Sequence, residues 1–367
     1  MSNKNSNKAQ VKTDFSPFPV GTIFNPLVVN KKLVMHSLKK VTLDYPSRLE
    51  AMAIDPSKIA SNNNLHYTPG QIDFTVKLFR RFTVMKTVKK GEINITDRSR
   101  RKSLIKHSVC LIKSALSVDD GLWIDIEDTV NLRHCGLGSS SGLIAGVACA
   151  VNELYGKPIT DRGMVRYLAQ NHGEEIDGNK GMINPVQCIG GSASCGTHEG
   201  GVIILAGESI VVKTTRVDES YEVVIGVPKD FRHPDSKYLM DKEIENLPKF
   251  LACGKKYGPT IAYRLFHECF PALEEGNIKP LGDLIFDYRW NMGSIENCSF
   301  VYPPILDIAW SLAYLKKQGY ADVLALSSVG PGMFAITKNA GICKKAFSEQ
   351  GMNTIKTKIH NGRYELL

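Results

Sequence analysis

Apolar positions recur along this chain with two different periods, and the switches between them fall at clear punctuation. From Thr22 to Leu43 the pattern alternates and is β-branched in parts, and Leu49–Ile54, Ile72–Val76 and Phe82–Val84 continue it, so strands are predicted there. Asp55-Pro56-Ser57 and Asn62-Asn63-Asn64 read as the intervening turn and loop. From Arg101 to Leu116 the period becomes helical, with Leu104, Val109, Leu111, Ile112 and Leu116 on one broad face. Leu122–Ile126 is a predicted strand. A helix follows from Leu143 to Tyr155, stopped by Gly156-Lys157-Pro158, and Thr160 and Asp161 can cap another over Met164–His172. Gly173–Gly201 is glycine-rich and irregular, and Val202–Leu205 closes this half as a strand. The second half opens on a strand over Tyr221–Val227, then runs through a polar stretch, Lys229–Asn246. Helical patterns occupy Ile261–Phe270, Ile278–Trp290 and Pro304–Lys316, before strands over Val323–Leu326 and Met333–Thr337 and a last helix and strand. Helices and strands interleave without regular βαβ spacing, which predicts an α+β fold.

Between Leu122–Ile126 and the helix at Leu143 stands Arg133-His134-Cys135-Gly136-Leu137-Gly138-Ser139-Ser140-Ser141-Gly142. Glycine reaches positive φ at little steric cost, so such a run can curl tightly. The amides exposed at a helix start, and its dipole, favour an anion. A phosphate or diphosphate is the natural guest, and a plain Gly/Ser cap on a helix is the alternative.

Composition narrows the class. With 367 residues, 43% hydrophobic and 23% charged, the chain can bury a large core in two lobes. Its formal net charge is +9, some of it in the basic segment Lys86–Lys106, which suits an anionic ligand. No clustered base-stacking aromatics accompany that charge, so nucleic acid is not the expected partner. Nine cysteines without a CxxC pair read as reduced thiols in a cytoplasmic protein. No apolar run approaches the roughly 18 residues of a membrane span, so no membrane partner is expected. Met1–Lys12 is polar, and residues 1–20 are expected to form a disordered tail, followed by lobes over 21–205 and 206–367.

Taken together, Gly136-Leu137-Gly138-Ser139-Ser140 and Ser327–Phe334 resemble the phosphate loop and the C-terminal glycine motif of the GHMP kinase superfamily, which includes galacto-, homoserine and mevalonate kinases. The resemblance implies a two-lobed fold: an N-terminal lobe of mixed sheet and helices, and a ferredoxin-like C-terminal lobe. Kinases of this superfamily usually carry Ser-Gly-x-Gly-Pro, whereas this chain has Ser327-Ser328-Val329-Gly330-Pro331. That variant is more similar to the β-ribofuranosylaminobenzene 5'-phosphate synthase branch. His134–Ser139, Pro46-Ser47-Arg48-Leu49, Pro69-Gly70-Gln71-Ile72 and Pro271–Asn277 resemble its segments as well. The triple serine Ser139-Ser140-Ser141 is nearer the kinases, while the absence of any Asp between Gly178 and Gly201 weakens a kinase with an Asp base.

The branch implies a ribosyltransferase that uses phosphoribosyl pyrophosphate. It would join ribose 5-phosphate to a small aromatic or heteroaromatic acid, with loss of diphosphate and carbon dioxide, and work with Mg²⁺ as a homodimer. An ATP-dependent small-molecule kinase and a non-catalytic nucleotide-binding protein are the rival expectations. On the transferase reading, Gly136, Gly138, Ser139, Ser140, Ser141, Ser327, Ser328 and Gly330 would hold phosphate groups. Arg48 and Arg133 would clamp phosphate or carboxylate, since a planar guanidinium grips such groups bidentately. His198 and Glu199 are the candidate bases for a ring proton, and Asn184 and Gln187 would orient a heterocycle. The acidic cluster Glu174, Glu175 and Asp177 suits a hydrated Mg²⁺, with a solvated helix end as its plain alternative.

Overall fold

The computed structural model describes residues 17–27, 29, 37–60, 69–128, 134–176, 181–186 and 188–367. Its strands are β1 (Phe18–Pro19), β2 (Lys40–Ala53), β3 (Gln71–Thr87), β4 (Ile93–Ile95), β5 (Gly121–Asp128), β6 (Gly173–Glu175), β7 (Met182–Pro185), β8 (Val202–Ala206), β9 (Ile210–Thr215), β10 (Glu222–Pro228), β11 (Val323–Leu326), β12 (Met333–Thr337), β13 (Met352–Lys358) and β14 (Glu365–Leu366). Its α-helices are α1 (Lys102–Leu116), α2 (Ser139–Leu154), α3 (Asp161–Gln170), α4 (Gly191–Thr197), α5 (Ser236–Arg264), α6 (Phe270–Glu274), α7 (Lys279–Phe286), α8 (Ser294–Cys298), α9 (Ile305–Leu312), α10 (Tyr314–Lys317) and α11 (Ala340–Glu349).

β2 and β3 form the long antiparallel spine of the first lobe, extended by β14, β5 and β8–β9, with β4 joining β5 in parallel. The sheet is therefore mixed. α1 and α2 cover it, burying Phe82, Val84 and Ile124 against Ile105, Val147 and Val151. α2 lies close on β3 because Gly146 faces the Phe82 ring, where a Cβ would collide. In the second lobe the sheet order β11-β12-β10-β13 is antiparallel throughout, with β10 and β12 central. That is the ferredoxin-like order, and a large helical insertion, α5–α10, separates β10 from β11.

Several expectations need correction. Ile72–Val76 and Phe82–Val84 are parts of one strand, β3, and within Thr22–Leu43 the described residues enter a strand only at Lys40. The polar stretch Lys229–Asn246 becomes helical at Ser236, capped by Asp235, and α5 continues through Pro248 and Pro259 to Arg264. Thr160 caps α3 as expected, accepting from the Gly163 amide. A lobe boundary at 205/206 would cut the β8–β9 hairpin, in which Ala206 pairs with Ile210. The far end of the chain also returns to the first sheet, where β14 pairs with β2.

Candidate functional site

The glycine loop and the C-terminal glycine motif are locked together at the junction of the lobes. Gly136 (φ +80°) packs so tightly on the Ser327 backbone that no Cβ would fit, and Gly332 is equally close to the Cys135 carbonyl. The Ser327 hydroxyl donates to the Gly136 carbonyl at 2.8 Å and accepts from the Glu50 amide at 3.2 Å. Gly138 (φ +63°) precedes α2, and no side chain caps that helix. Its first-turn amides are thus left for whatever enters the cleft. A cleft of about 280 Å³ opens beside the loop, and Arg48, Glu50, Ser141, Ser192 and Ser328 line its polar part. A connected recess reaches Gly136, Gly138, Ser139, Ser140 and Gly330. Ser328 itself has φ +55°, so it adopts the left-handed conformation that glycine would adopt more easily.

The hydroxyls of Ser140 and Ser141 have internal partners. Ser140 accepts from Arg101 Nη1 at 2.6 Å and bonds the Glu174 carboxylate. Ser141 bonds Ser192 at 2.7 Å, and the Ser139 carbonyl accepts from Arg80. Ser327 is 1% exposed, and its hydroxyl is used in the tie just described. Ser327 therefore fixes the loop and does not present its hydroxyl to a ligand. Backbone amides, the Ser139 hydroxyl and the Ser328 position remain as the groups open to an anion.

Arg48 projects into the cleft from β2 with Glu50 two residues on, the period that puts both on one face of a strand. Its Nη1 is 3.0 Å from Glu50 Oε2 but poorly aligned, leaving that nitrogen without a hydrogen-bond acceptor among the described residues. Its Nε is 3.9 Å from Asp73, which is fully buried beneath Gly191 and takes a hydrogen bond from Gln71. Burial pushes the Asp73 carboxyl up to about 7, with the Arg48 charge opposing and Glu50 adding to the rise. Opposite, Glu243 of α5 lines the same cleft, and burial together with Glu50 pushes its carboxyl up to about 7.

The two described members of the expected metal set are already paired. Arg101 reaches both Glu174 and Glu175, the latter at 2.9 Å, and is itself 7% exposed. Burial acts to raise the Glu174 carboxyl, but Arg101, His134, Ser140 and His172 together hold it below the usual range. Both carboxylates thus neutralise a buried guanidinium. Among the described residues no three His, Cys, Asp or Glu side chains converge to hold a metal ion. Asp177, Arg133 and Gln187 lie outside the described residues.

His198 and Glu199 are not brought to the cleft. α4 places Gly191 and Ser192 on the cleft wall, whereas His198 follows its opposite end, about 10 Å further along a seven-residue helix. There His198 bonds Thr197, and burial lowers its imidazole. Asn184 is buried in β7, paired with Glu174 in the strand register, and its Oδ1 has no partner among the described residues. Of the two cysteines in the glycine-rich segment, Cys195 is buried and Cys188 lines the cleft.

The inner end of the cleft is apolar and aromatic, with Met240, Phe250, Tyr288 and Phe300 forming its wall beside Glu243 and Arg289. None of these was singled out in the sequence. They come from the helical insertion of the second lobe, and only the fold brings them to β2.

Residues 103–192 match the family described as GHMP kinases N terminal domain. No curated protein is similar in sequence. Among solved structures, homoserine kinase from Cytophaga hutchinsonii superposes with a TM-score of 0.60 at 13% identity, covering 91% of this chain and 99% of that one. Mevalonate diphosphate decarboxylase from Staphylococcus aureus gives 0.61 at 13% identity, covering 90% and 98%. The structure described as MDDEF in complex with MVAPP, AMPPCP and magnesium gives 0.60 at 12% identity, covering 89% and 98%. The chain has an α+β GHMP-kinase-like fold, and no helix among its described residues is long and apolar enough to cross a membrane.

Proposed function

We propose that this chain is a phosphoribosyl-pyrophosphate-dependent ribosyltransferase that joins ribose 5-phosphate to the ring carbon of an aromatic or heteroaromatic acid. The observation that carries this reading is the two-ended cleft: an uncapped helix start and two interlocked glycine motifs at one end, a walled aromatic chamber at the other. The anionic end suits a diphosphate, and the chamber suits a planar ring.

In the reaction, the bond from C1 of ribose to the diphosphate oxygen breaks, and its electron pair leaves with the diphosphate. Amides at the start of α2 face the charge that grows on that leaving group. The ring carbon bearing the carboxylate supplies the pair for the new carbon–carbon bond. The bond to the carboxylate then breaks, its pair restores the aromatic ring, and carbon dioxide departs. No proton is removed in this sequence, which accords with His198 and Glu199 lying away from the cleft. Magnesium would arrive with the diphosphate, since the chain's own acidic pair is engaged by Arg101.

The fold neighbours and the Asp73 carboxyl beside Arg48 favour a second reading, an ATP-dependent small-molecule kinase. Thermal stability with Mg²⁺ and either phosphoribosyl pyrophosphate or ATP separates the two. Stabilisation by the former alone, followed by carbon dioxide release from an aromatic acid, supports the transferase. Stabilisation by ATP alone overturns it.

A further inference from the structure

One charge in the inner chamber, that of Arg289, forms no ion pair among the described residues. Arg289 lies in the π-helical turn Asp287–Asn291, is 2% exposed, and lines the chamber. Its Nε donates to the Ala51 carbonyl at 2.7 Å, Nη1 to Ser294 Oγ at 3.1 Å, and Nη2 to the Glu50 carbonyl at 3.4 Å. A guanidinium has five N–H groups, so two are left over, and all three acceptors are neutral. The other arginines that build this region are each matched: Arg48 by Glu50, Arg80 by Asp128, Arg101 by Glu174 and Glu175. Among the described residues Arg289 has no carboxylate within ion-pair distance. A buried cation without a partner is costly, which is tolerable where a ligand supplies the anion.

The surroundings say what kind of anion. The Tyr288 ring lies 5.3 Å from the guanidinium carbon, and Phe250 and Phe300 complete an apolar wall on which a flat ring can rest. Of the two arginines that line the cleft, Arg48 stands beside the Glu50 carboxylate, so a ligand carboxylate next to the aromatic wall is best placed against Arg289. We propose that Arg289 is the residue that holds the acceptor's carboxylate and so selects ring acids over neutral rings; this rests on the transferase reading of the cleft. Its role is in affinity, because a guanidinium grip stabilises the bound carboxylate before reaction as well as during it.

The test compares benzoate with its uncharged counterpart benzamide by ligand-observed NMR titration of the full chain, with and without phosphoribosyl pyrophosphate and Mg²⁺. The parent is expected to bind benzoate at least about tenfold more tightly, and Arg289→Gln to erase that preference, leaving benzamide binding and stabilisation by phosphoribosyl pyrophosphate unchanged. A parent without the preference, or a variant that keeps it, overturns the assignment. If Arg289→Gln does not fold, Cys298→Asp decides. Cys298 lines the chamber close enough for the Arg289 charge to act on its thiol, so a carboxylate there would occupy the guanidinium and exclude benzoate. Undiminished benzoate preference in Cys298→Asp also overturns the assignment. Absence of any stabilisation by phosphoribosyl pyrophosphate would fall on the transferase reading alone, since the benzoate comparison without it still decides Arg289.

Discussion

The hydroxyl of Ser327 holds the carbonyl of Gly136 across a sequence gap that spans most of the second lobe, and its other bond is to the amide of Glu50. One side chain therefore couples the glycine loop, the C-terminal glycine motif and the strand that carries Arg48. Ser327→Ala would leave two buried polar groups unpaired, at about 1–3 kcal/mol each. Urea unfolding is expected to show that loss. Calorimetry is expected to show weaker binding of phosphoribosyl pyrophosphate although the hydroxyl itself touches no ligand.

Gly138→Ala should damage the anion end directly. The new methyl group would stand 2.5 Å from Ser192 Oγ and 3.0 Å from Arg48 Nε, at φ +63°. Affinity for a diphosphate ligand is expected to fall by at least about tenfold, a loss consistent with displaced helix-start amides. Unchanged calorimetric affinity would remove the loop from the binding site.

Glu243→Gln tests the acidic side of the chamber through pH. The Glu243 carboxyl is raised to about 7 by burial and by Glu50, from an ordinary value near 4.5. A carboxyl raised on folding contributes stability below its unfolded value, and that contribution is lost as pH rises through the folded value. The variant should therefore gain on the parent between about pH 4.5 and 7, reaching at most ~3 kcal/mol. Urea unfolding of both proteins at pH 4.5 and pH 8 measures the gain, and a constant difference would place Glu243 in a solvated position.

How much of this was legible in the residues depends on how far apart the partners lie. The glycine loop announces itself because an anion site on a helix start is local: the glycines, the serines and the helix pattern are consecutive. Arg48 is legible from its motif, and Glu50 could have been found from the same strand period. Arg101, Asp73, Glu243 and Arg289 carry no such local mark. Arg289 reaches Ala51 only because β2 and the helical insertion meet in space. α5 was hidden for a different reason. Pro248 and Pro259 read as helix breakers, yet both lie inside the helix. The pairing of Glu174 and Glu175 was hidden because Arg101 stands at the start of α1, far away in sequence.

The same pairing yields a prediction about metal. With Glu174 and Glu175 engaged by Arg101, Mg²⁺ alone is expected to leave the melting temperature unchanged, and to raise it only together with a diphosphate ligand. Arg101→Gln would leave two partly buried carboxylates without their cation and lower stability, by less than the ~3–5 kcal/mol of a fully buried pair. A strong response of the parent to Mg²⁺ alone would restore the acidic cluster as a metal site.

His198→Ala and Glu199→Gln are expected to keep turnover within about twofold of the parent, since neither lines the cleft. A large fall in kcat at unchanged stability would mean that the far end of α4 approaches the substrate.

The return of β14 to β2 bears on whether the lobes can be separated. Residues 359–367 cross the first lobe: the His360 amide bonds Thr75, the Tyr364 amide bonds Gly196, and the Leu367 amide bonds Thr42. A fragment ended after β9 would lose this strap and present the bare backbone of β2 at Thr42–Asp44. Unpaired strand edges invite association with other chains. The first lobe cut free would tend to self-associate through that edge, so the last residues of the chain act as a cover on the first sheet as well as the end of the second lobe.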